Sequence, residues 1–182
     1  RIGIEKRFLV AVYVEELATL LPGATLIGAD HIFDKARAIK TPDELAILTG
    51  AATRTEEAIQ AAWTAAKLGD TEKKISDDMS LRAFSAGATS RWIVLAAGSN
   101  TAINHPYPGP KRLAKGEIMR VDFGGVFAGY QSDVARTAVI GLPNTEQQSI
   151  YKRLREAQRE TISSARPGIQ ACDLYARCRQ EM

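Results

Sequence analysis

IMRVDFGGVFAGYQSDVARTAVI, residues Ile118 to Ile140, decides the reading of this chain. Two apolar runs flank a glycine-rich middle, and each run carries an aspartate. Ile118, Met119, Val121 and Phe123 read as one strand, and Tyr130 to Ile140, rich in Val, Ala, Thr and Ile, as another. Gly124, Gly125 and Gly129 suit the bulge or turn between them. An antiparallel hairpin centred between Phe127 and Ala128 pairs Val126 with Gly129 and sets Asp122 opposite Asp133. Directly opposed side chains have Cβ atoms about 5 Å apart, and like charges so placed repel. On one continuous strand the odd separation would send the two side chains to opposite faces. The hairpin therefore turns a long sequence gap into a carboxylate pair, whose repulsion is offset by a shared proton or by a metal cation. A register one residue away would separate the pair. The competing reading is one inward aspartate and one solvent-facing aspartate that caps a loop.

The 182 residues suffice for one domain with a real core, or for one domain and a piece of another. Hydrophobic residues make up 45% and charged residues 25%, the profile of a soluble globular protein. The net charge of +3 is small, and Lys and Arg are scattered, so neither nucleic acid nor a membrane surface is implied as a partner. The longest apolar stretch, Phe8 to Val14, falls far short of the roughly 18 residues that span a bilayer and runs straight into Glu15 and Glu16. No signal peptide is recognisable. Cys172 and Cys178 fall on one expected helix but on different sides of it, so they read as reduced thiols of a cytoplasmic protein. The chain opens in an apolar run at Arg1 and stops at Met182 inside an apparent helix, the pattern expected of a fragment cut at both ends.

Arg1 to Glu5 reads as a short strand, Phe8 to Leu21 as a helix stopped by Pro22-Gly23, and Ala24 to Ile27 as a strand or extended connector. Asp30 to Ala38 shows a mixed pattern. Thr41-Pro42-Asp43-Glu44 is a strong helix start, with Thr41 as N-cap, Pro42 at the first position and Glu44 closing a capping box. That helix runs through Ala66, with Leu45, Leu48, Ala52, Ile59, Ala62 and Trp63 on its apolar side. A second helix, capped by Asp70 or Thr71, carries Ile75, Met79, Leu81 and Phe84 and ends near Gly87. Trp92 to Ala97 is a strand, and Gly98 to Leu113 a loop. After the hairpin, Asn144 or Thr145 caps a helix to about Ala165, Arg166-Pro167-Gly168 breaks it, and another begins at Gln170. This order implies an α+β fold, an antiparallel sheet covered by helices.

His105, one of two histidines, sits in the polar loop just before the hairpin and can reach the same end of the sheet. Its chemical reading is a proton donor, or a hydrogen-bond donor to a developing oxyanion. Its surroundings alone favour an ordinary surface histidine. His31 has no such neighbourhood and reads as structural or exposed. Gly98-Ser99-Asn100 lacks the Gly-Lys-Ser/Thr ending of a phosphate loop, and Ser99 has no nucleophile-elbow pattern.

Val121-Asp122-Phe123-Gly124-Gly125 followed by Gly129-Tyr130-Gln131-Ser132-Asp133-Val134-Ala135-Arg136-Thr137 resembles the double-aspartate signature of the pita-bread metallopeptidases, which include Xaa-Pro aminopeptidases, prolidases and methionine aminopeptidases. Other segments agree in order. Ile2-Gly3-Ile4-Glu5 resembles the last strand region of a creatinase-type N-terminal domain. Arg37-Ala38-Ile39-Lys40-Thr41-Pro42-Asp43-Glu44 is similar to the entry to the first catalytic helix. Gly98 to His105 is similar to the loop bearing a catalytic histidine, and Arg166-Pro167-Gly168 to the Pro-Gly helix junction.

The resemblance implies residues 1–37 as the tail of a creatinase-type N-terminal domain and 38–182 as the first half of a metallopeptidase catalytic domain. It implies Asp122 as ligand to one metal and Asp133 as bridge between two. The ions would be divalent, manganese foremost, with cobalt or zinc as alternatives. It implies His105 near the scissile bond, and no cofactor site beyond the metals. The expected parent enzyme removes a residue ahead of proline, acting on a peptide with proline in second position, as a cytoplasmic homodimer. The family's remaining ligands, one His and two Glu, would follow the Pro-Gly junction beyond this chain, so the segment alone is expected to be inactive. Ala135 departs from the Thr that many members carry. Two other functions share the fold: a binding module without catalysis, and a creatinase-like hydrolase of a small amidino compound. The retained aspartate pair argues against both.

Overall fold

A computed structural model describes residues 1–181; Met182, expected to continue the last helix, lies outside the described residues. The chain forms two compact units, Arg1–Gly50 and Ala51–Met182, with the division inside the long helix Pro42–Ala65.

In the first unit, strand β1 (Ile2–Ile4) pairs in parallel with β2 (Leu26–Gly28), Ile2 opposite Leu26 and Ile4 opposite Gly28. Parallel neighbours need a crossover of a dozen or more residues, and helix α1 (Ala11–Leu20) lies in it. The mixed stretch is helical: α2 (Asp30–Ala38) has Asp30 in its first turn and Lys35 and Arg37 in its last, in line with the helix dipole. The Arg7 backbone N–H donates to Asp30 at 3.0 Å, and the ion pairs Arg7–Asp34 and Arg37–Glu5 join strand-end residues to α2. Only Ile4 and Ala29 are buried here. Helix α3 (Pro42–Ala65) starts on the expected capping box, with Thr41 N–H donating to Glu44 Oε2 at 2.7 Å and Glu44 N–H to Thr41 Oγ1 at 3.3 Å.

The second unit is built on an antiparallel sheet. Helix α4 (Glu72–Ser85), capped by Thr71, leads into β3 (Ser90–Ala97) and a short 3₁₀ turn (Gly98–Ala102). β4 (Ile118–Phe127) pairs along its length with β3 on one side and, on the other, with β5 (Tyr130–Gln131) and β6 (Val134–Val139). Helix α5 (Thr145–Ser164) begins at Asn144 with a complete capping box, and α6 (Ala171–Glu181) follows the Pro-Gly break. Cys172 and Cys178 both lie in α6 as free thiols.

The core lies on one face of the sheet. Ala51, Ala58, Ile59 and Ala62 of α3 and Ile75, Met79 and Ala83 of α4 pack with Leu95, Ala97, Met119, Val121, Phe123, Phe127 and Val134. The expected apolar side of α3 is only partly the buried one. Leu45 and Ala52 are exposed, and the buried stripe is Ala51, Thr55, Ala58, Ile59 and Ala62. Small side chains let the helix backbone approach the pleated sheet, so alanine spacing sets the face where leucine spacing had suggested another. On α4, likewise, Leu81 and Phe84 stay exposed.

The connection into β4 is held by Glu117, which accepts from Lys111 Nζ at 2.8 Å and from the Ala114 N–H at 3.2 Å. The Lys111 hydrogen bond is the main cause that lowers its pKa below 4.5. A carboxylate shifted downward stabilises the fold above its ordinary pKa and loses that contribution as pH falls through the lowered value. Glu117→Gln is therefore expected to cost about 1 kcal/mol at pH 7. In urea unfolding, the difference between the two proteins should shrink as pH falls through the ordinary carboxylate range and below it; a difference that persisted undiminished in acid would show that charge is not its source.

Candidate metal centre

Along β4 the side chains alternate strictly. Met119, Val121, Phe123 and Phe127 enter the core, and Arg120 and Asp122 stand on the opposite, open face. Asp122 is flanked there by Val94 of β3 and Ala135 of β6, and Arg120 by Ala96 and Thr137.

The hairpin register differs from the expected one. Phe127 pairs with Tyr130 and Val126 with Gln131, so Ala128 and Gly129 form a two-residue turn with φ of 50° and 84°. Two consecutive positive φ values match the twist of the flanking strands. An alanine in the first of these positions gave no sequence signal. Asp122 consequently faces Ala135, not Asp133. The shift is by two residues, which preserves the face and makes the two aspartates diagonal neighbours.

The ladder breaks at Ser132 and Asp133. Ser132 N–H donates to the Gly125 carbonyl at 2.9 Å, and its buried hydroxyl accepts from the Gly125 N–H at 2.9 Å, standing in for a strand carbonyl. That hydroxyl also lies 2.6 Å from Thr55 Oγ1, which donates to the Ala51 carbonyl. The freed Ser132 carbonyl crosses over Gly124. A Cβ on Gly124 would lie 2.2 Å from that oxygen and 2.4 Å from the Trp92 indole nitrogen, so only glycine fits. Through the break the alternation holds: Ser132 and Val134 are buried, and Asp133 and Ala135 are exposed.

The result is a coupled carboxylate pair. Burial pushes the Asp122 carboxyl up, and the charge of Asp133 and a hydrogen bond with it push the same way; Arg120 and His105 oppose them. Oxygen-only donors under mutual repulsion suit a divalent cation, which removes the repulsion without a proton. The residues present fit a metal on this observation, as part of a donor set: no group of three potential ligands occurs among the described residues. His105 is exposed in its loop, and its charge weakly favours ionised Asp122. His31 is exposed on α2.

Sequence reasoning missed two residues that shape the site. Glu72, fully buried at the start of α4, accepts from the Ala97 N–H at 2.8 Å, the Asn100 side chain at 3.1 Å and the Gly109 N–H at 3.1 Å. It thereby fastens both ends of the segment that carries His105. Arg120 fastens the middle, through the carbonyls of Thr101, Ile103 and Asn104. Arg120 was legible in principle, as a charge on an apolar strand in phase with Asp122; Glu72 showed only as an acid in a first helical turn. Beside the pair, a cleft of about 940 Å³ opens between the sheet and α5, lined by Arg120, Asp122, Ala135, Arg136, Leu154 and Arg155 among others.

The family model of metallopeptidase family M24 matches residues 46–182. An Xaa-Pro dipeptidase from Pyrococcus horikoshii is 30% identical over 164 residues, 89% of this chain and 47% of its own length. Another from Lactobacillus helveticus is 31% identical over 176 residues, 94% of this chain and 48% of its own. Among solved structures, the prolidase from Pyrococcus horikoshii matches with a TM-score of 0.87 at 29% identity, over 98% of this chain and 52% of that one. An X-Pro aminopeptidase from Thermotoga maritima reaches 0.91 at 22% identity over 98% of this chain and 51% of that one, a likeness of fold. The chain spans about half the length of the curated relatives it matches. The α+β architecture is that of the pita-bread fold, as its motifs had implied. From the matched residues to the superposed neighbours, sequence and fold agree on one assignment: the chain belongs to metallopeptidase family M24.

Proposed function

We propose that residues 38–182 are the first half of the catalytic domain of an Xaa-Pro peptidase, and residues 1–37 the tail of a creatinase-type N-terminal domain. The observation that carries this reading is the coupled pair of Asp122 and Asp133 on the open face of the sheet, within a chain whose relatives are named Xaa-Pro dipeptidases. Asp122 would hold one divalent ion and Asp133 would bridge two, with manganese the first candidate and cobalt or zinc the others. Such ions supply Lewis acidity and a water acidic enough to attack a peptide carbonyl near neutral pH. His105, on its anchored loop, would donate a hydrogen bond or a proton at the scissile bond. The substrate class is a peptide with proline in second position. The unpaired thiols of Cys172 and Cys178 support a reducing, cytoplasmic setting. With two of the donors a dinuclear site needs, the 182-residue chain by itself would be inactive.

His105→Ala in the full-length protein is expected to lower kcat roughly 100-fold or more with metal content unchanged. The assay compares a Gly-Pro dipeptide with a longer Xaa-Pro peptide under added manganese, with metal measured in parallel. Loss of the metals would make His105 a ligand. Cleavage of neither peptide by the unmutated protein would favour a non-catalytic module or a small-molecule hydrolase.

A further inference from the structure

Arg120 stands two residues before Asp122 on the same open face, between Ala96 and Thr137. Its charge favours ionised Asp122, yet the two side chains form no ion pair, and none joins Arg120 to Asp133 among the described residues. Its donors go elsewhere. Nε donates to the Thr101 carbonyl at 3.1 Å, and Nη2 to the carbonyls of Ile103 and, at 3.1 Å, Asn104. These acceptors come directly before His105 in the chain. Among the described residues, the carbonyls of Ile103 and Asn104 receive no other hydrogen bond. A guanidinium is suited to this, because its donors diverge in one rigid plane and charge-assisted bonds to carbonyls are the stronger kind. The arrangement also keeps the guanidinium off the Asp122 oxygens.

We infer that Arg120 is a positioning residue: it clamps the 101–104 backbone to β4 and so fixes His105 over the Asp122–Asp133 pair. The inference rests on the reading of His105 given above. One strand then sets both parts of the site, since β4 carries Asp122 directly and holds His105 through Arg120. A loop tied only at its ends, by Glu72 at Ala97, Asn100 and Gly109, would leave the histidine free to drift. Displacement of about 1 Å in a catalytic group is enough to cost up to 100-fold in rate.

The test uses the full-length protein, loaded with manganese, in four forms: unmutated, Arg120→Met, His105→Ala and the double variant. Arg120→Lys is added as the conservative change, since an ammonium on a flexible stem cannot span three carbonyls. Amide hydrogen exchange over residues 101–105 is read with kcat, KM and metal content. Arg120→Met is expected to speed exchange in that segment and to lower kcat about tenfold to 100-fold, with KM and metal content near unchanged. Arg120→Lys should fall between. In the His105→Ala background, Arg120→Met should cost no further rate, the signature of one residue acting through another. Unchanged exchange would overturn the clamp, and rate losses that multiply would overturn action through His105. Loss of metal in Arg120→Met would do so too, by making Arg120 a support of Asp122. If His105→Ala alone leaves kcat intact, the reading of His105 fails and the positioning role with it, while the exchange data still report the tie independently.

Discussion

Asp133→Asn in the full-length protein is expected to lose a thousandfold or more in kcat/KM on an Xaa-Pro peptide, together with most of its bound metal. The size follows from the several kcal/mol that paired cations contribute to the transition state, at 1.36 kcal/mol per factor of ten. The substitution preserves shape and removes the charge, so the loss would not come from misfolding. A second readout makes that separable. In metal-free protein the charge of Asp133 works against ionised Asp122, so Asp133→Asn should unfold at an equal or higher temperature than the unmutated protein. The side chain would thus be unfavourable for the empty fold and required for the loaded one. Retained metal and activity would remove Asp133 from the ligand set. A lowered melting temperature without metal would contradict the repulsion.

Glu72→Ala is expected to destabilise the fold by about 3 kcal/mol, a large effect for a polar residue that touches neither metal nor substrate. The carboxylate is wholly buried and satisfies two backbone N–H groups and the Asn100 amide. Removing it leaves those donors without an acceptor, at about 1–3 kcal/mol for each group truly stranded. Glu72→Gln should cost less, because one oxygen survives, though its new NH₂ meets a donor where an acceptor is needed. Urea unfolding monitored by circular dichroism measures both. A loss under 1 kcal/mol for the alanine variant would mean that water replaces the carboxylate without strain.

The elements whose signals are local were legible before the structure. The capping box at Thr41, the cap at Asn144 or Thr145, the stop at Pro22-Gly23 and the alternation through Met119, Val121 and Phe123 all depend on residues a few positions apart. Three features were not, for separate reasons. The parallel pairing of β1 with β2 joins segments more than twenty residues apart, and nothing in either short strand names its partner. The turn at Ala128-Gly129 carries an alanine where the geometry favours asparagine or glycine, so the centre of the hairpin was read two residues off in pairing. The aspartates stay on one face regardless, because a two-residue error preserves the alternation. Glu72 was silent because its partners lie 25 to 37 residues downstream, at the end of β3, in the 3₁₀ turn and in the loop beyond it.

The close fit of the Trp92 indole against Gly124 gives the chain an optical reporter. Of its two tryptophans, Trp63 packs against the hydrophobic core with its indole N–H buried and without a hydrogen-bond partner. Trp92 lies on the open face, one pleat from Val94 and its neighbour Asp122. A cation arriving at the aspartates changes the field at Trp92 and leaves Trp63 in its apolar surroundings, so the intrinsic fluorescence of a Trp63→Phe protein would follow site occupancy with no label attached.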